Sequence, residues 1–392
     1  MAAGGSAPEF FTSLVGAFDT KPSSVGISAI VGSAIFNILF VIAACGVAAP
    51  KTLQLSGYPL ARDSIFYLID LIVMMLFFGF ITPGVVDLWE AGVLFALYIA
   101  YCIFMKYSET IEKKMAEAGD DRRFRNLDKN SDNQLSQEEM DKDTESKLLK
   151  EADTNHDGKV TKEEFKIFLR SRRNKLKQAK EEDEAVEEGE NHPLTVWPPS
   201  EGGCSDYLWY VFTLPLVLVL ACTVPDVRRE GCSKSLYLIT FILSIVWIAV
   251  FAYIMVYCTK VVGIFTGISV DLLALTLLAW GTSVPDLLTS ILVTLQNRGD
   301  MAVSSSIGSN IFDVTVGLPV PMLLRIVVSG CPYPVGADGI VMSIGLLVLM
   351  LAVTIGSIKC NGWVLNKPLG IMMFVLWLVI QGWTMYEFMK SG

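Results

Sequence analysis

Two stretches of this chain repeat each other, and any fold it adopts must give them equivalent places. The first holds Gly4-Gly5-Ser6-Ala7-Pro8-Glu9, then Phe11-Thr12-Ser13, then Gly32-Ser33-Ala34-Ile35-Phe36-Asn37. The second holds Gly281-Thr282-Ser283-Val284-Pro285-Asp286, then Leu288-Thr289-Ser290, then Gly308-Ser309-Asn310-Ile311-Phe312-Asp313. Superposed, Glu9 falls on Asp286, Ser33 on Ser309 and Asn37 on Asp313, with one residue of slippage between the blocks. Each acid directly follows a proline in an apolar run. Charge inside a bilayer is expensive, so such residues face a partner or an aqueous cavity and mark an ion or proton path. The proline also frees a backbone carbonyl, a further oxygen where the helix is broken.

The flanking sequence supplies the membrane setting. The chain is 52% hydrophobic, with a mean hydropathy of +0.49. A spanning helix needs roughly 20 predominantly apolar residues. Met1–Phe18 reads as the back half of one, followed by full spans at Val25–Ala48, Ser64–Phe80 and Leu88–Lys106. Beyond a polar block come Ser235–Tyr257, Val270–Leu295, Ala302–Leu324, Ile340–Ile358 and Leu369–Met385. The fold class expected is an all-α membrane protein. Tyr207–Val224 is apolar but short, and Pro215 interrupts it. If it does not cross, four spans separate the motif-bearing helices and the repeats are inverted, as in many secondary transporters. If it crosses, they are parallel. Charge favours the first arrangement. Lys51, Arg62, Arg228, Arg229, Lys234, Arg298, Lys359 and Lys367 then share the side of the polar block, leaving Lys21, Lys260, Arg325 and Lys390 opposite.

Several function classes are excluded. The net charge of −9 resides largely in the polar block, and no basic surface suggests a nucleic acid partner. The eight cysteines are scattered without paired metal-ligand spacing. Both histidines, His156 and His192, lie in the polar block. No nucleophile–base pair, phosphate loop or metalloprotease helix is visible, so the chain does not read as an enzyme.

The polar block, Tyr107–Asp206, reads as a cytoplasmic insertion with two 12-residue EF-hand loops. The first offers Asp128, Asn130, Asp132, Gln134, Ser136 and Glu139 as Ca2+ ligands. The second offers Asp153, Asn155, Asp157, Lys159 (through its carbonyl), Thr161 and Glu164, and has Gly158 at the sharp turn where the first has Asn133. The loops start 25 residues apart, which leaves 13 for two helices and implies a shared helix or an unusual pair. A basic run from Arg170 to Lys180 and an acidic one from Glu181 to Glu190 read as a solvated linker.

The segments GGSAPEFFTS with GSAIFN, and GTSVPDLLTS with SSSIGSNIFDVTVGLP, resemble the paired alpha repeats of the cation/calcium exchanger superfamily. More narrowly, they resemble its potassium-dependent sodium/calcium exchangers. The likeness runs from Met1 to about Lys106 and from Tyr207 to the end. It implies an inverted-repeat exchanger fold with membrane repeats at 1–106 and 207–392 around the insertion at 107–206. It also implies a helix and a half ahead of Met1, and a plasma-membrane location. By motif position it makes Ser6, Ser33, Thr282, Ser283 and Ser309 ion ligands, although small hydroxyl residues also let membrane helices approach closely. Asn37, Asn310 and Asp313 join them from the Gly-Ser blocks, and Glu9 and Asp286 are the central carboxylates. Two departures stand out: Ala34 where the second repeat has Asn310, and Trp280 where the family tends to place a small residue. Trp280 could face lipid or narrow the pathway. Asp70, an acid within Ser64–Phe80, is expected to serve a helix–helix hydrogen bond.

The expected function is antiport of Ca2+, with K+ by resemblance, against Na+ through one midplane site, with membrane lipid as the surroundings. Ca2+ in the EF-hands would report cytoplasmic Ca2+. Proton/calcium antiport, a Ca2+ channel, and a membrane-tethered Ca2+ sensor with an inactive transport remnant are the alternatives. The sequence assigns no protein partner.

Overall fold

The computed structural model describes residues 2–19, 25–128, 132, 134–136, 152–153, 159–171, 197, 203–226, 236–335 and 340–391. Helices come in the order α1 (Ala2–Gly5), α2 (Ala7–Ala17), α3 (Val25–Ala48), α4 (Gly57–Ile81) and α5 (Leu88–Leu127). Then follow α6 (162–171), α7 (Cys204–Thr223), α8 (Tyr237–Thr266), α9 (Val270–Leu295), α10 (Gly299–Ser329), α11 (Ile340–Cys360) and α12 (Lys367–Ser391). Among the described residues, α3, α4, the Leu88–Ser108 part of α5, α8, α9, α10, α11 and α12 contain stretches long and apolar enough to cross a membrane. The sequence places these spans correctly but draws several too short. Polar first turns such as Gly57–Asp63 continue a helix because its amides need partners even where its side chains do not need lipid.

Contacts divide the chain into two units, Met1–Ile103 with Ile242–Gly392, and Phe104–Phe241. The two repeats thus form one body. The second boundary falls at Phe241, so α7 groups with the insertion and not with the second repeat.

Three two-residue strand pairs fix how the loops are arranged. Within the membrane body, β1 (Leu53–Gln54) pairs antiparallel with β6 (Val364–Leu365), and β2 (Val85–Val86) with β5 (Tyr333–Pro334). The Leu55 amide extends the first ladder to the Trp363 carbonyl (2.8 Å), and the Val335 amide extends the second to Gly84 (2.9 Å). Ser56 joins the first group to the start of α10, its amide and hydroxyl reaching the Asp300 carboxylate at 2.5 and 2.7 Å. Loops 49–56, 296–298 and 361–366 therefore share one membrane face, here the first. Loops 82–87 and 330–335 share the second.

Every helix then acquires a direction. α3 ends at the first face and so begins at the second, which puts the end of α2 there too. An ion pair from Asp19 to Lys260 of α8 lies at that end. α9 runs the other way, ending at the first face. The two motif helices are antiparallel, and the repeats are inverted. Ile103 and Ile242, where this body breaks off and resumes, both lie toward the first face.

Four spans widen by a π turn among the described residues: Phe36–Val41 in α3, Phe77–Ile81 in α4, Ala274–Leu278 in α9 and Asp313–Gly317 in α10. Such turns insert one residue into the i→i−4 ladder and occur frequently at functional sites. Two of them fall at corresponding places in the repeats, starting one residue out of step, one taking in Asn37 and the other Asp313. α8 touches the body through Ala252, Val256, Thr259 and Gly263, its four buried residues, spaced three to four apart on one face.

Candidate ion-binding site

The repeats meet through their glycines and hydroxyls. Gly5, at the end of α1, lies against the second repeat: a Cβ there would stand 1.8 Å from Asp286 Oδ1. A Cβ on Gly32 would stand 2.0 Å from the Leu275 carbonyl oxygen, in the π turn of α9. No side chain larger than hydrogen fits either place. The helix break at Ser6, between α1 and α2, and Pro285 within α9 put a discontinuity beside each central acid.

All ten residues expected from the repeats are buried: Ser6, Glu9, Ser33, Asn37, Thr282, Ser283, Asp286, Ser309, Asn310 and Asp313. Seven of them share one network. Glu9 Oε1 accepts from Ser283 (3.1 Å) and Ser33 (3.3 Å), whose hydroxyls are themselves 2.8 Å apart. Asn37 Nδ2 faces Asp286 Oδ2 (3.1 Å), Asn310 Oδ1 (3.3 Å) and Ser309 Oγ (3.4 Å). One amide nitrogen carries two hydrogens, so these contacts are shared rather than simultaneous. Ser6 joins at the rim, donating to the Ser309 carbonyl at 3.3 Å. Thr282 instead donates to the Ala279 carbonyl one turn back (3.1 Å).

What the network leaves unpaired is more informative. Glu9 Oε2, Asn37 Oδ1, Asn310 Nδ2 and both oxygens of Asp313 are buried without a hydrogen-bond partner. Asp313 lies in the field of Glu9 and Asp286, and the nearby Ser6 hydroxyl is turned to Ser309. Each buried unsatisfied polar group needs an explanation, and a cluster of oxygens around two or three carboxylates is the donor set that hard cations take.

Several polar residues near the site were not singled out from sequence. Ser13 and Ser290 are equivalent in the two repeats, and both are buried. Ser290 approaches Ser306 at 3.4 Å, whereas the Ser13 and Thr294 hydroxyls have no partner. The Thr-Ser pair that follows each acid was the available signal. Asp70, from which a helix–helix hydrogen bond is expected, is buried. Asp63, seven residues earlier on the same stripe of α4, makes that tie. It accepts from Arg62 (2.7 and 3.0 Å), from the Tyr101 hydroxyl (3.3 Å) and from Ser304. Trp280 packs on Trp377, with ring centroids 5.6 Å apart, and takes no part in the network.

In the other unit the two loops pair through β3 (Gln134–Leu135) and β4 (Val160–Thr161), with Leu135 opposite Val160. Both are position 8 of their loops, so despite the tight spacing the loops join at equivalent positions. Phe124, Leu135, Ala152, Val160 and Phe165 form the small core, with the two phenylalanine rings edge to face at 5.5 Å. Glu164 Oε2 accepts from the Thr161 amide (3.0 Å) and hydroxyl (2.7 Å), which holds the twelfth-position carboxylate against its own loop. Asp132 Oδ1 accepts from the Gln134 amide at 2.8 Å. Lys166 and Lys162, at 2.9 and 3.0 Å, hold the Asp121 carboxyl below its ordinary range. Asp128, Ser136, Asp153 and Lys159 are also among the described residues, whereas Asn130, Glu139, Asn155 and Asp157 lie outside them, as does most of the stretch between the loops.

Inverted repeats that meet through interrupted helices are the architecture of many secondary transporters. The chain belongs to the sodium/calcium exchanger protein family, whose model matches residues 1–107 and 236–386. Residues 146–169 match the EF-hand family, a stretch that covers the second loop and not the first. Sodium/potassium/calcium exchanger 2 of Gallus gallus is 37% identical over 461 residues, spanning 97% of this chain and 69% of the relative. Its Homo sapiens namesake is 35% identical over 97% of this chain and 70% of its own length. A solved structure of the sodium-calcium exchanger NCX_Mj overlaps at a TM-score of 0.47 with 15% identity, covering 97% of this chain and 82% of that one, a likeness too loose to weigh. The protein is a multi-pass membrane protein of cation antiport.

Proposed function

We propose that the protein exchanges Ca2+, together with K+, against Na+ at the site formed by Ser6, Glu9, Ser33, Asn37, Thr282, Ser283, Asp286, Ser309, Asn310 and Asp313, in the plasma membrane. The observation that carries this reading is the set of unpaired buried oxygens on Glu9, Asn37 and Asp313. Glu9 and Asp286 together balance one Ca2+ or two Na+. An empty site with two bare carboxylates is costly to carry through an occluded state, so one load must be exchanged for the other. That is the coupling.

Asp313 distinguishes the repeats by a full charge, since Asn37 holds the equivalent position. A third carboxylate beside a Ca2+ that two acids already balance calls for a further monovalent cation. In proteoliposomes with an imposed Na+ gradient, the wild-type protein should take up Ca2+ in a K+-dependent way. Asp313→Asn keeps the shape and one oxygen, and should retain part of that flux while losing its dependence on K+. An unchanged K+ curve in the variant would remove Asp313 from the K+ role, and proton-driven uptake without Na+ would favour the proton/calcium alternative.

The paired EF-hand loops support a second reading for the insertion, that of a Ca2+ sensor acting on the transport body. The fragment Tyr107–Asp206 should bind Ca2+ in calorimetry, mainly through Asp153–Glu164. Glu164→Gln should weaken binding more than Glu139→Gln does, because the second loop has glycine at its turn. No heat at millimolar Ca2+ in the wild-type fragment would end the sensor role.

A further inference from the structure

α4 carries neither of the repeated motifs, yet it presents an unsatisfied polar face to the site. Ser64, Tyr67 and Asp70 are spaced three apart, so successive members neighbour one another on the helix. Tyr67 is fully buried, Ser64 and Asp70 nearly so. Neither the Tyr67 hydroxyl nor the Ser64 hydroxyl has a hydrogen-bond partner. Lipid-facing positions of the same helix are occupied by Ile65, Ile69, Ile72 and Leu76, so this polar face has not simply been left to the membrane.

Depth places the inner end of this face, at Asp70, beside Asp313. α4 and α10 both start at the first membrane face. Asp70 lies thirteen residues beyond Gly57, and Asp313 fourteen beyond Gly299. At 1.5 Å per residue both stand roughly 20 Å in. The two helices pack closely, and α4 also meets the π turn that begins at Asp313. The Tyr67 hydroxyl lies within electrostatic reach of both the Asp313 and the Asp70 carboxylates. Asp63 shows what α4 does where a protein partner exists: it ties to Arg62, Tyr101 and Ser304. One turn deeper, the Tyr67 hydroxyl has no hydrogen-bond partner.

We propose that α4 completes a second cation pocket beside the Glu9–Asp286 network, in which the Tyr67 hydroxyl and the Asp70 carboxylate join Asp313 around a large monovalent cation. This rests on the K+ reading of Asp313 above and extends it to residues outside the repeated motifs. The donor set discriminates by field strength. Glu9 and Asp286 concentrate two charges in a tight hydroxyl-lined network, which suits Ca2+. The α4 side offers a neutral hydroxyl and spaced carboxylates, which suit a larger, weakly hydrated ion. Tyr67 acts as a ligand there, and Asp70 supplies charge at the pocket edge.

The test uses the full chain, with Tyr67→Phe and Asp70→Asn measured beside wild type, and Ile72→Val as a lipid-facing control. Ca2+ uptake under a Na+ gradient is recorded in proteoliposomes as K+ is varied. Thermal unfolding of the solubilised protein is recorded with K+ or with Ca2+ added, since a cation that binds only the folded state raises the midpoint. Both variants should raise the half-saturating K+ by roughly fivefold or more, the scale of one lost ligand to a charged group. Both should lose the K+-induced stabilisation while keeping the Ca2+-induced one, which also shows that they fold. An unchanged K+ response in both variants beside a K+-dependent wild type overturns the inference and leaves the Asp313 reading standing. A wild type without K+ dependence removes both. Equal loss of the K+ and Ca2+ responses means that α4 merely packs the site, and overturns the inference as well.

Discussion

Glu9→Gln and Asp286→Asn are each expected to abolish Na+-driven Ca2+ flux. Each replacement keeps the side-chain shape and at least one oxygen. Glu9 could still accept from Ser283 and Ser33, and Asp286 could still meet Asn37. What disappears is one of two negative charges in a site closed to water, where Glu9 is fully buried and Asp286 is 4% exposed. Breaking a buried charge pair by removing one partner costs about 3–5 kcal/mol, which corresponds to roughly a hundredfold or more in cation affinity. Radiolabelled Ca2+ uptake by proteoliposomes under a Na+ gradient measures the effect directly. Full uptake by either variant would separate that acid from the transported ion.

A second large effect is expected where no chemistry is involved. Gly32→Ala adds one methyl group, and in most helices that substitution stabilises by about 1 kcal/mol. Here the methyl would lie 2.0 Å from the Leu275 carbonyl oxygen and 2.7 Å from the Ala279 methyl. The first of these atoms is backbone and cannot swing aside, so α3 and α9 must separate. Overpacking of this kind costs about 1–3 kcal/mol, which outweighs the propensity gain and displaces Ser33 from Ser283. Gly345→Ala in α11 is the matched control, because a Cβ there meets nothing within 4 Å. Thermal unfolding of the solubilised protein should show Gly32→Ala below wild type and Gly345→Ala at or above it. A Gly32→Ala protein as stable as wild type would mean that the α3–α9 contact is looser than its geometry.

Much of this architecture was legible because it is written twice. The Pro-acid and Gly-Ser blocks located the ten buried residues without any contact information, and the apolar runs located the spans. The count of spans between the motifs even gave the inversion, once Tyr207–Val224 was read as non-crossing. Features that depend on one element meeting another were not legible. Two-residue strands such as Leu53–Gln54 have no pattern of their own, and only their partners make them strands. Asp70 and Asp63 look alike in sequence, seven residues apart on one helix. Their different fates depend on Arg62, Tyr101 and Ser304, two of which come from other helices. Tyr67 reads as an ordinary aromatic until α10 is placed beside it. The π turns at Asn37 and Asp313 escape notice because an inserted residue does not alter the apolar character of the run that contains it.

The two ladders at the membrane faces bear on how such a body can move. β1–β6 joins the loop after α3 to the loop before α12, and β2–β5 joins the loop after α4 to the loop after α10. Each ladder bolts a loop of the first repeat to a loop of the second, one on each side of the bilayer. Hinging the repeats apart would tear one ladder or the other, together with the Ser56–Asp300 tie. The bolted helices therefore behave as a chassis. α8 is held differently, along the shallow track of Ala252, Val256, Thr259 and Gly263, with Lys260 latched to Asp19 at one end. With no strand ladder of its own, α8 depends for its place on the small cluster that Val256 makes with Val25, Ala29, Ala274 and Leu278.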